Sequence, residues 1–70
     1  VRVLQSGPLY LVAAGGDAES KALIVSPSEG IGDPATFGEI MKFVTVHDPW
    51  ELVDDHDALP EIVKQAIAEL

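Results

Sequence analysis

The sequence predicts an α+β fold, a small antiparallel sheet of three to four short strands with a C-terminal amphipathic helix packed on one face. Three observations carry this expectation. Leu9 to Ala14 and Ala22 to Val25 are short continuous apolar runs closed by turn residues, the pattern of buried strands rather than helices. Between them, Gly15 to Ser20 has hairpin length and is rich in residues that tolerate a positive φ. In the last segment Leu59, Ile62, Val63, Ala66, Ile67 and Leu70 recur at helical spacing, with Glu61, Lys64, Gln65 and Glu69 elsewhere on the wheel.

Val1 to Gln5 begins with alternating apolar and polar residues and meets turn chemistry at Ser6-Gly7-Pro8, which predicts an edge strand. With the two apolar runs it completes a β-meander. Ser26 to Asp33 holds Pro27, Gly30 and Gly32 and reads as a loop. Asp33-Pro34 has the chemistry of a helix start, since aspartate caps free N–H groups and proline suits the first helical position. With Phe37, Ile40, Met41 and Val44 at helical spacing, it predicts a helix over 34 to 42, which Gly38 weakens by about 1 kcal/mol relative to alanine.

Phe43-Val44-Thr45-Val46 is aromatic and β-branched and predicts a return to strand. Asp48-Pro49 repeats the helix start, with Glu51 three residues after the aspartate, and predicts one or two helical turns over 49 to 54. Asp57 and Pro60 mark the start of the final helix, over 58 to 69. Of the aromatics, Trp50 is expected in the core. Tyr10 alternates with Leu9 and Leu11, so it lies on the opposite sheet face and marks a candidate interface.

Seventy residues allow a single small acidic domain, 1–70, and 47% hydrophobic with 23% charged residues is a folding rather than a disordered composition. So short a chain buries only about 60% of its unfolded surface. Self-association as a homodimer is therefore expected, or burial against another protein. The longest apolar run has six residues, so no membrane span is expected, and with no secretory signal the cytoplasm is the default compartment. No cysteine is present, which excludes disulfides, thiol nucleophiles and cysteine zinc sites.

Twelve acidic residues oppose four basic ones, for a formal net charge of −8. Arg2, Lys21, Lys42 and Lys64 are scattered singly, so direct nucleic-acid and anionic-membrane binding are disfavoured, and the charge favours either plain solubility or a basic partner. The acids concentrate in His47 to Asp57, which holds both histidines and five carboxylates: Asp48, Glu51, Asp54, Asp55 and Asp57. Asp54, Asp55 and Asp57 are, with Tyr10, the candidate partner-binding residues.

Other chemistries find less support in the residues. A metal site using His47, His56 and nearby acids, as in a ligand- or metal-binding domain of a larger enzyme, is chemically feasible, but histidines nine apart lack helical ligand spacing. The serines lie in turn settings without a nucleophile elbow, and Asp54 and Asp55 are surrounded by further acids, as solvated carboxylates are. Gly30-Ile31-Gly32-Asp33 looks like part of a phosphate-cradling loop, yet it lacks a third glycine in register and a Lys-Ser or Lys-Thr pair, and Asp33 repels phosphate. No catalytic residue, metal ligand or cofactor is therefore expected. The expected function is a non-enzymatic protein–protein interaction module, with the enzyme-associated domain and an acidic mimic of nucleic acid as the alternatives.

Overall fold

The computed structural model describes residues 1–70. Strands β1 (Arg2–Ser6), β2 (Leu9–Ala13), β3 (Lys21–Ser26) and β4 (Gly30–Ile31) follow one another as an antiparallel meander. Strand β5 (Ala35–Thr36) pairs with the other end of β3, and α1 (Phe37–Phe43) follows it directly. The chain then crosses to the far edge, where β6 (Glu51–Leu52) pairs with β1. It closes with a 3₁₀ turn over His56–Ala58 and with α2 (Glu61–Glu69). The fold is thus α+β, but its sheet has six strands rather than three or four, in the order β4-β3-β2-β1-β6 with β5 off that path.

The β1–β2 hairpin closes through Gly7-Pro8. Gly7 has φ 57°, as the first central position of a II′ turn requires, and the fixed φ of Pro8 suits the second. Along β3, Val25 faces Ile31 and Ala22 faces Ala35, so Gly32, Asp33 and Pro34 stand opposite only Leu23 and Ile24. This is a bulge in the edge, held where the Gly32 N–H donates to the Ile24 carbonyl at 2.8 Å.

Asp33-Pro34 therefore lies in the bulge between β4 and β5 and starts no helix, because the pairing of the flanking residues with β3 outweighs a local capping preference. Helix α1 starts at Phe37. Its free N–H groups are satisfied by the Thr36 hydroxyl, which accepts from Glu39 at 3.2 Å, and by the Ser20 and Ala18 carbonyls, which accept from Phe37 and Gly38 at 2.8 Å each. Gly38 has a positive purpose here: a Cβ on it would lie 3.0 Å from the Ala18 Cβ, so its absence lets the β2–β3 loop seat against the helix.

The remaining local expectations are corrected by contacts of the same kind. Phe43 ends α1, and Val44 to Val46 forms no strand. Residues 49 to 54 hold β6 in place of helical turns, because Leu52 comes into register with Leu4 and the Val53 N–H donates to the Val3 carbonyl at 2.8 Å. That pairing removes β1 from the sheet edge. The last helix begins at Glu61, and the cap of the preceding turn is Asp55, whose carboxylate accepts from the Asp57 N–H at 3.1 Å.

Both sheet faces are apolar, which is why the strand sequences read as continuous rather than alternating runs. Val3, Val12, Leu23 and Val25 share one cluster with Leu59, Val63 and Ala66. Leu11, Ala13 and Ala22, which alternate with those residues along the strands, share the other with Ile40 and with half-buried Leu4, Ile24, Phe37, Val44 and Trp50. The second face is thus covered by α1 and the chain that crosses after it, which the single-helix expectation omitted. The folded chain exposes 4404 Å², close to the ~4,200 Å² of an isolated monomer of 7.4 kDa. No helix is long and apolar enough to cross a membrane.

Candidate functional site

The β1–β2 turn and the chain crossing from α1 to β6 meet at Gly7 and Asp48. The buried Ser6 hydroxyl donates to the Asp48 carbonyl at 2.6 Å and ties the crossing segment to the end of β1. Beside it, the Gln5 amide donates to the Gly7 carbonyl at 3.1 Å and to the Tyr10 hydroxyl at 3.2 Å. Two open hollows flank this junction. One, of about 340 Å³, is lined by Gln5, Gly7, Asp48, Pro49 and Glu51; the other, of about 180 Å³, lies between Ser6 to Leu9 and Thr45 to Asp48.

The larger hollow presents the Asp48 and Glu51 carboxylates beside backbone, whereas the smaller is mainly apolar, with Pro8, Leu9 and Val46 beside His47 and Asp48. The Ser6 hydroxyl is committed to a carbonyl and the Ser26 hydroxyl to that of Ser28, so neither meets a base. His47 is exposed on the crossing segment and His56 half-buried in the 3₁₀ turn. No three His, Asp or Glu side chains come together in an arrangement able to hold a metal ion.

Of the residues singled out from sequence, Tyr10 is half-buried against the Val3–Val12 cluster, level with Gln5 and Val25. Asp54, Asp55 and Asp57 are exposed in the connection that leaves β6 beyond Val53, which is level with Val3. Tyr10 and the three aspartates therefore sit toward opposite ends of β1 and do not form one cluster. Trp50 is half-buried against the Leu11 cluster. All twelve carboxylates are exposed, and 48–57 contains five of them with no Lys or Arg.

Sequence reasoning missed the apolar side chains left in solvent. Phe43 is 74% exposed with the Lys42 ammonium 5.6 Å from its ring centre, and Leu52 on β6 is 57% exposed. Phe43 had the signal of a strand core. Leu52 lay in what read as a helical turn. Comparison with protein-family models, with curated proteins and with solved structures finds no match for this chain.

Proposed function

We infer that this chain is a non-enzymatic protein-interaction module that docks a basic partner through its acidic stretch. The observation that carries this is the composition and placement of 48–57: five exposed carboxylates, no cation, and an exposed Leu52 in their midst. Dispersed surface acids act on solubility alone, whereas a one-sign stretch with an apolar centre offers both encounter steering and a seat. Asp54, Asp55 and Asp57 supply the steering. In the same reading α2 covers the Val3–Val12 face as a structural support, a role supported by the burial of Val63 and Ala66 among those strand residues.

The test is affinity capture from cell extract on immobilised wild type and D54N/D55N/D57N, each checked for folding. Association kinetics of any captured protein then follow at two ionic strengths. The expected result is a basic protein whose association slows in the triple variant and whose salt dependence flattens, because exposed charge acts mainly on encounter rate. Equal rates and equal salt slopes overturn the docking role of the three aspartates.

A further inference from the structure

The geometry points to strand addition at β6: its outer edge accepts an extended, alternating basic and apolar segment of another protein as a further strand. The inference rests on the reading of this chain as an interaction module and names how the partner binds. The Val53 N–H donates to the Val3 carbonyl at 2.8 Å. In an antiparallel ladder bonded and non-bonded pairs alternate, so the Leu4–Leu52 pair is a non-bonded one. The Leu52 N–H and C=O consequently point away from β1, toward solvent, on a strand with no neighbour beyond it. An edge strand with outward backbone groups is a template for another chain.

The neighbouring side chains say which chain. Successive side chains on a strand point to opposite faces, so Glu51 lies on one face of β6 and exposed Leu52 on the other. A strand added here places alternate residues beside each, and cross-strand pairing favours a Lys or Arg next to Glu51 and an apolar residue next to Leu52. Asp48 before the strand and Asp54 and Asp55 after it extend the preference for positive charge, while Arg2 on β1 lies against Gly16 in the β2–β3 loop. A second copy is disfavoured, since β6 against β6 sets two groups of five carboxylates side by side. The opposite edge is blocked in another way: the bulge at Gly32 to Pro34 breaks its run of outward groups.

The probe is an acetylated, amidated heptapeptide of alternating Lys and Val, with a control in which the central Val is proline. Titration into labelled wild type, followed by amide NMR and hydrogen exchange, is expected to shift Leu52 among the strongest signals and to slow exchange of its N–H at least tenfold. Leu52→Pro removes that donor, and Leu52→Lys keeps it but adds a like charge to the edge. Each is expected to weaken binding at least tenfold while amides of β2 and β3 keep their positions. Strand addition is overturned by equal binding of the proline peptide, by binding that leaves the Leu52 amide unmoved, or by no binding of the alternating peptide. The first two results leave acidic docking standing, which the triple aspartate variant tests separately. A dimer of the chain alone that protects the Leu52 N–H overturns the inference in favour of a second copy.

Discussion

Val63→Ala is the substitution that tests most directly the proposed support of the sheet by α2. Val63 is fully buried in the cluster with Val3, Val12, Leu23 and Val25, whereas Ile62 and Ile67, the larger residues of the same stripe, are only half-buried. The change removes two carbons, worth about 0.8 kcal/mol each by transfer, and the space left behind adds on the order of 1 kcal/mol where the walls do not collapse. Alanine's better helix propensity returns about 0.5 kcal/mol. The expected loss is therefore about 2 kcal/mol. At 0.05–0.15 kcal/mol per residue, a chain of 70 residues has roughly 4–10 kcal/mol of total stability, so this one side chain accounts for a fifth to a half of it. Urea unfolding followed by far-UV circular dichroism reads the change as a lower midpoint at unchanged slope. The control is Lys64→Ala on the exposed side of the helix, where a change within about 0.5 kcal/mol is expected. A Val63→Ala loss below about 0.5 kcal/mol at unchanged slope refutes the reasoning, since it means that the helix contributes little to that face.

Two further substitutions test the joints of the fold. Gly38→Ala should destabilise the chain even though alanine gains about 1 kcal/mol of helix propensity, because the new Cβ meets the Ala18 Cβ at 3.0 Å and the Ala18 carbonyl at 3.2 Å; a raised melting temperature contradicts this. Ser6→Ala leaves the Asp48 carbonyl without its 2.6 Å partner and should cost about 1–2 kcal/mol, with amide exchange in 45–50 rising more than in β2 or β3. Uniform changes in exchange across the chain contradict a local role for Ser6.

What the sequence discloses and what it hides divide by contact distance. The runs Leu9–Ala14 and Ala22–Val25, the hairpin between them and the stripe of α2 each carry their own periodicity, and the structure places strands β2 and β3 and helix α2 there. The two Asp-Pro sites carried equally good local signals for helix starts, yet both lie beside or within sheet-edge chain. Asp33-Pro34 is decided by β3, about ten residues upstream, and Glu51-Leu52 by β1, nearly fifty residues away. Neither competition is visible in a local window. At the candidate site the acids of 48–57 were legible from composition, because charge needs no partner to be counted. The Ser6–Asp48 tie, which spans 42 residues, and the exposure of Leu52 both depend on where β6 lands.

The bulge at Gly32 to Pro34 makes the numbering of the edge strand a matter of phase. Ile31 and Ala35 are four residues apart, an even interval that would place both side chains on one face of an unbroken strand. Here Ile31 packs against the Val3–Val12 cluster and Ala35 against the Leu11–Ala22 cluster. One extra residue thus inverts the parity of everything after it and delivers the chain to the face where α1 begins. Surface connections ordinarily absorb insertions and deletions at little cost. Here parity decides the outcome: regular pairing at unchanged length would send both side chains to the same core, whereas deleting one residue between Ile31 and Ala35 removes the bulge, leaves an interval of three, and keeps Ile31 opposite Val25 and Ala35 opposite Ala22 on their separate faces.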